Sequence, residues 1–183
     1  MKSKNIYRIS IDKLLLFTGL ITILLFLILR YFGNPMITEI APGGIISFEL
    51  AKDIDKSITI ISSWNLNAKV NAGLSLGIDF LFLVVYSIFF SSACYLVAQK
   101  FIRINTFLYK FGLLIAQLQF IAALFDAIEN VALIKLLLGS QKEIYSLIAY
   151  YFASMKFAII AIGIIYIIIG LITLLFYKAT TSK

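Results

Sequence analysis

Hydrophobic positions along the chain fall into four long runs separated by short polar stretches. Leu14 to Leu29 carries no charge, and Tyr31 and Phe32 extend it as an interfacial aromatic belt. Phe80 to Gln99 is also free of charge, over a length that matches a hydrocarbon core of ~30 Å at ~1.5 Å rise per residue. Phe111 to Phe125 is apolar and continues helically through Asp126 to Leu138, and Phe157 to Tyr177 is again uncharged. The runs are continuous rather than alternating, so they predict helices and not the strands of a lipid-embedded barrel. The expected fold is all-α, a single polytopic membrane domain over residues 1–183. It is a four-helix transmembrane bundle with spans at about 14–32, 73–99, 108–138 and 144–177.

The segment 33–72 between the first two spans has a different pattern. Gly33-Asn34-Pro35 and Pro42-Gly43-Gly44 are turn signals. Ser47 to Trp64 then reads as one external amphipathic helix. Leu50, Ile54, Ile58 and Ile61 form its apolar face, and Glu49, Lys52, Asp53 and Lys56 form the polar one. Such a helix lies on the outer surface or caps the bundle. Trp64 suits the headgroup level, and Asn65, Asn67 and Asn71 make a polar return into the second span.

Composition narrows the chemistry. Apolar residues make up 62% of the 183 positions and charged ones 14%, which excludes disorder, a soluble globular enzyme and a disulfide scaffold. Histidine is absent and Cys94 is the single cysteine, so zinc hydrolases, His-based triads, His-ligated haem and dithiol redox chemistry fall away. Cys94 lies among Ser91, Ser92 and Ala93 and reads as a small core filler. No phosphate-cradling glycine loop, HExxH spacing or nucleic-acid motif occurs, so neither a metal nor a cofactor is expected.

The net charge of +7 is concentrated on one side. Lys2, Lys4, Arg8 and Lys13 precede the first span, Lys100, Arg103 and Lys110 join the second to the third, and Lys178 and Lys183 end the chain. The external segment instead mixes Lys52, Lys56 and Lys69 with Glu39, Glu49, Asp53 and Asp55. This asymmetry orients both termini to the cytoplasm in a cytoplasmic (inner) membrane and explains the basic balance without a nucleic-acid partner. No small-residue cleavage site follows the first span, so it is expected to be an uncleaved anchor.

Charges inside the spans share a depth. At ~1.5 Å per helical residue, Arg30 lies about 26 Å from Lys13 and Asp79 about 32 Å from Lys100. On the same scale Asp126 and Glu129 lie about 24 and 29 Å from Lys110, and Lys156 about 33 Å from Lys178. Helical phase points them inward. Asp126, Glu129 and Asn130 share one face, with Gln119 a heptad earlier, and Tyr86 follows Asp79 by a heptad. Lys156 sits in a heptad seam of Ala149, Gly163 and Gly170, and Gly73 and Gly77 form a GxxxG beside Asp79. Glu49 of the external helix adds a further acid. In one reading Arg30 and Lys156 simply neutralise two carboxylates and lock the bundle. In the other, the excess negative charge forms a pocket. A Ser–Lys dyad of Lys156 with Ser75 or Ser154 is a weaker alternative.

These residues carry a resemblance to a family of small bacterial four-span membrane proteins with no activity attached to it. Ser47-Phe48-Glu49-Leu50-Ala51 is similar to the family's external acidic-apolar motif. Asp79-Phe80-Leu81-Phe82 with Tyr86 is similar to its second-span motif, Leu124 to Asn130 to its third and Lys156 to its fourth-span lysine. The stretch Gly139 to Glu143 departs from the pattern in lacking a proline. The resemblance implies the site's location and no mechanism.

Three functions follow. The first is a non-enzymatic membrane protein whose outer-leaflet pocket of Arg30, Glu49, Asp79, Tyr86, Asp126, Glu129, Asn130 and Lys156 binds a lipid headgroup or small polar ligand, alone, as a homo-oligomer or within a membrane complex. The second is a membrane enzyme acting on an amphiphile, with Asp126 or Glu129 as general base. The third is a proton- or cation-coupled transporter, for which Gln117, Gln119, Tyr86, Thr18 and Thr22 are the only deeper polar groups.

Overall fold

The computed structural model describes residues 2–181, with side chains for residues 11–175. Lys2, Lys4, Arg8, Lys178 and Lys183, which contribute to the charge asymmetry, have side chains outside that set. Four long helices, α1 (Lys2–Gly33), α4 (Leu66–Phe101), α5 (Thr106–Leu137) and α6 (Glu143–Thr181), form an all-helical bundle without strands among the described residues. Each contains a stretch long and apolar enough to cross a bilayer, as expected of a multi-pass membrane protein.

Helix boundaries follow local chemistry. Asn65 caps α4 by accepting the Ala68 N–H at 2.9 Å, and Asn105 caps α5 by accepting that of Leu108 at 3.0 Å. At the other end of α5, Gly139 adopts a φ of 94°, its N–H bonds to the Leu136 carbonyl, and that of Ser140 bonds to Lys135. This double closure needs a left-handed residue after the helix, which glycine supplies without a Cβ penalty.

Helices α4, α5 and α6 pack on one another, whereas α1 lies along α4 and makes no extended contact with α5 or α6. The small-residue seam in α6 is real: Ala149, Ala153, Gly163 and Gly170 are buried. A Cβ at Gly163 would stand 2.6 Å from the Gln119 amide nitrogen, so the absence of a side chain is what lets α5 approach. Gly73 and Gly77 do not form a comparable seam. Both are exposed, and a Cβ at Gly77 would touch nothing within the chain.

The segment between the first two long helices differs from the single amphipathic helix expected over Ser47–Trp64. A 3₁₀ turn (Asn34–Met36) is followed by α2 (Ile45–Glu49) and α3 (Ile54–Ser63). The interruption falls where Lys52 takes a φ of 70° and Asp53 starts a new helix by accepting the Lys56 N–H at 2.7 Å. Breaking the helix rotates its faces. Glu49, expected on the solvent side, is buried, and α3 turns Ser57 and Ile60 inward. Trp64, expected at headgroup level, is only 2% exposed; it donates its Nε1–H to the Met36 carbonyl at 2.9 Å and stacks edge-on against Phe48. Together with Ala132, Leu133 and Leu136 of α5 these residues make one apolar core, so the segment is docked onto the bundle end. The Ser57 and Ser146 hydroxyls bond at 2.9 Å and tie α3 to α6. The asparagines read as a polar return are instead the cap and first turns of α4.

Candidate functional site

Three carboxylates from two separate parts of the chain meet one ammonium. Lys156, on the buried face of α6, places its Nζ 2.6 Å from Asp126 Oδ1, 2.8 Å from Glu129 Oε2 and 3.9 Å from Glu49 Oε2. Asp126 and Glu129 are brought together because positions three apart on α5 share a face. Glu49 arrives at the end of α2 because the Lys52 break turns that short helix toward the bundle. Desolvating four charged groups is expensive, and only close pairing makes it tolerable.

The pairing extends sideways by hydrogen bonds. Tyr86 of α4 donates its hydroxyl to Asp126 Oδ2 at 2.9 Å, so both oxygens of that carboxylate are engaged. Asn130 donates its amide to Asp79 Oδ2 at 2.6 Å. Glu129 is less well served. Its Oε2 is close enough to Lys156 for an ion pair but off line for a hydrogen bond, and both of its buried oxygens lack a donor, as does Glu49 Oε2. Burial holds the Glu49 carboxyl above the ordinary carboxylate range; Lys156 draws it down, and the Asp126 charge pushes it further up.

A cavity of about 430 Å³ opens beside this cluster. Arg30, Glu49, Asp79, Tyr86, Asp126, Asn130 and Lys156 all contribute to its lining, whereas Glu129 stands behind it. Its walls are apolar and aromatic: Phe26 and Leu29 from α1, Ile46 from α2, Phe82 and Phe90 from α4, Phe157 from α6. Helices α1 and α6 both contribute to the lining, and among the described residues they make no extended contact with each other. Phe26 of α1 and Phe157 of α6 line the cavity and are both exposed.

Seven of the eight residues singled out from the sequence thus surround one space, and the eighth backs it. Arg30 departs from its expected role. It forms no ion pair within 4 Å among the described residues and is exposed on α1, which makes no extended contact with α5, the helix that carries Asp126 and Glu129. Neutralisation of the cluster falls to Lys156 alone. The Ser–Lys dyad does not form either: Ser154 donates its hydroxyl to the Tyr150 carbonyl, and the polar neighbours of Lys156 are carboxylates. Among the described residues no group of three or more acidic or thiol side chains is arranged to hold a metal ion; the Lys156 ammonium occupies the centre of the carboxylate group. The apolar walls carry no sequence signal that separates them from lipid-facing positions, since both are runs of Phe, Leu and Ile.

Deeper in the bundle, Gln119 is fully buried, with its amide nitrogen 3.4 Å from the Ile115 and Ile159 carbonyls and its oxygen without a donor. Cys94 is buried against the Gly163 carbonyl, in keeping with a core role. Comparison with protein-family models, curated proteins and solved structures gives no match to this chain.

Proposed function

We propose that this membrane protein binds the polar head of an amphiphile in the cavity between α1 and α6, with the apolar tail remaining in the bilayer. The observation that carries the reading is the cavity itself, which combines aromatic walls with convergent charged groups on its floor. Such a pairing suits a ligand that is apolar at one end and polar at the other. We place the ligand's route from the membrane plane between α1 and α6, which make no extended contact among the described residues, so that neither end need cross an unsuitable medium. The excess of Lys and Arg on the opposite side of the bundle supports an outer-leaflet location for the cavity and cytoplasmic termini. The resemblance to small bacterial four-span proteins adds the same residues and no chemistry.

The test is mass spectrometry of the amphiphiles that copurify in a mild detergent. Wild-type protein should retain one class well above its share of the membrane, and Asp79→Asn should lose it. A retained profile matching the bulk membrane in both proteins overturns the proposal.

A further inference from the structure

The charges that face the cavity divide into two kinds. Lys156 is saturated: two carboxylate oxygens lie within 2.8 Å and a third at 3.9 Å. Asp126 is equally occupied, one oxygen on Lys156 and the other on Tyr86. What remains is acidic on the inner side and basic on the α1 wall. Asp79 has the Asn130 amide on one oxygen and, among the described residues, no cation within 4 Å. Glu49 also lines the cavity, its buried Oε2 3.9 Å from Lys156 and without a hydrogen-bond donor. Arg30 shares a helical face with Phe26 and Gly33, all three lining the cavity, and its guanidinium has no carboxylate partner.

Among the described residues, an Asp79 with no cation on the inner side and an Arg30 with no carboxylate partner on the wall describe the complement of a molecule that carries both signs. We infer that the amphiphile is a zwitterionic aminophospholipid, its amine directed to Asp79 and Glu49 and its phosphate to Arg30, its chains leaving between α1 and α6. This rests on the head-binding reading above and specifies its ligand. Guanidinium matches phosphate through two parallel N–H donors. An ammonium has three donors and no acceptor, so it suits carboxylate oxygens that have none to receive. The aromatic side chains at Phe82 and Tyr86 complete the inner wall and offer ring faces to the same cation. An anionic head lacking an amine would leave Asp79 and Glu49 unanswered and would place a second negative group beside them. A simple amine would leave Arg30 unused. The zwitterion alone engages both walls.

The experiment is native mass spectrometry of the full chain in detergent, titrated separately with dioctanoyl phosphatidylethanolamine, dioctanoyl phosphatidylglycerol and dodecylamine. Wild type should retain the ethanolamine lipid at least about ten-fold better than the glycerol lipid, the size of effect one charge-assisted contact supplies. Arg30→Gln should weaken the ethanolamine lipid and the glycerol lipid alike while binding dodecylamine unchanged. Asp79→Asn should weaken both amine-bearing ligands and leave the glycerol lipid as it was. Equal or better retention of the glycerol lipid by wild type overturns the zwitterion, as does an Arg30→Gln variant that binds the ethanolamine lipid normally. In either case site-dependent binding still upholds head recognition. If none of the three amphiphiles shows binding sensitive to Asp79→Asn, head recognition fails as well. Unfolding of each variant, followed by fluorescence of the single Trp64, establishes that a lost ligand is not a lost fold.

Discussion

Replacing Lys156 with methionine removes the only cation within 4 Å of Asp126, Glu129 and Glu49 among the described residues. Methionine retains most of the apolar stem, so the change is chiefly electrostatic. Two of the three pairs are at 2.8 Å or less, and the side chains involved are nearly inaccessible. Taking one partner from such a pair strands a buried charge, at a cost of about 3–5 kcal/mol. For a chain of this size about 1 kcal/mol moves the midpoint by roughly 2–4 °C, so Lys156→Met should melt about 6–20 °C below wild type. Thermal unfolding in detergent at pH 8, read from Trp64 fluorescence, measures the shift. Lys156→Met combined with Asp126→Asn and Glu129→Gln should recover much of the loss, since neutral amides replace the two closest acids and leave only the more distant Glu49 without its cation. A single variant within about 2 °C of wild type, or a triple variant with additive losses, refutes the reasoning.

Three further outcomes follow from the same contacts. Glu49 is held above its ordinary carboxylate range by burial, so the native state keeps its proton longer than the unfolded chain. Its favourable contribution is complete at pH values below the unfolded pKa and disappears as pH rises through the folded one. Glu49→Gln should therefore gain on wild type with increasing pH in urea or thermal unfolding, and a difference constant from pH 5 to 9 contradicts it. Tyr86→Phe removes the only donor other than Lys156 to Asp126 and should destabilise by about 1.5–3 kcal/mol, measured as a lowered melting midpoint. Gly163→Ala places a methyl against the buried Gln119 amide and should cost about 1–3 kcal/mol, whereas Gly77→Ala, which meets nothing, should leave the midpoint unchanged or raise it.

Much of this arrangement was legible in the sequence, because the physics of a span is one-dimensional. Uninterrupted apolar runs gave the four long helices, and heptad spacing gave the inward phase of Gln119, Asp126, Asn130 and Lys156, all of which are buried. Depth counted from the flanking cations brought Asp79, Asp126, Glu129 and Lys156 to one end of the bundle. The external segment was less readable. Its periodicity over Ser47–Trp64 fits a single helix until Lys52 adopts a left-handed φ, a conformation no neighbouring residue announces. That one residue reverses the face on which Glu49 lies and converts an expected surface charge into a buried one. Asn65 was a readable cap in hindsight, being a side-chain acceptor placed three residues before Ala68. The isolation of Arg30 was not readable, because the separation of α1 from α5 depends on tertiary packing that helical spacing does not encode.

The most direct test is a density map of the protein in lipid nanodiscs, resolved well enough to place side chains and a bound head. The account predicts the Lys156 ammonium seated among Asp126, Glu129 and Glu49, with elongated density running from Asp79 past Arg30 and out between Phe26 and Phe157. Helix α1 closed against α6, or an apolar side chain filling the space beside Asp79, would contradict it.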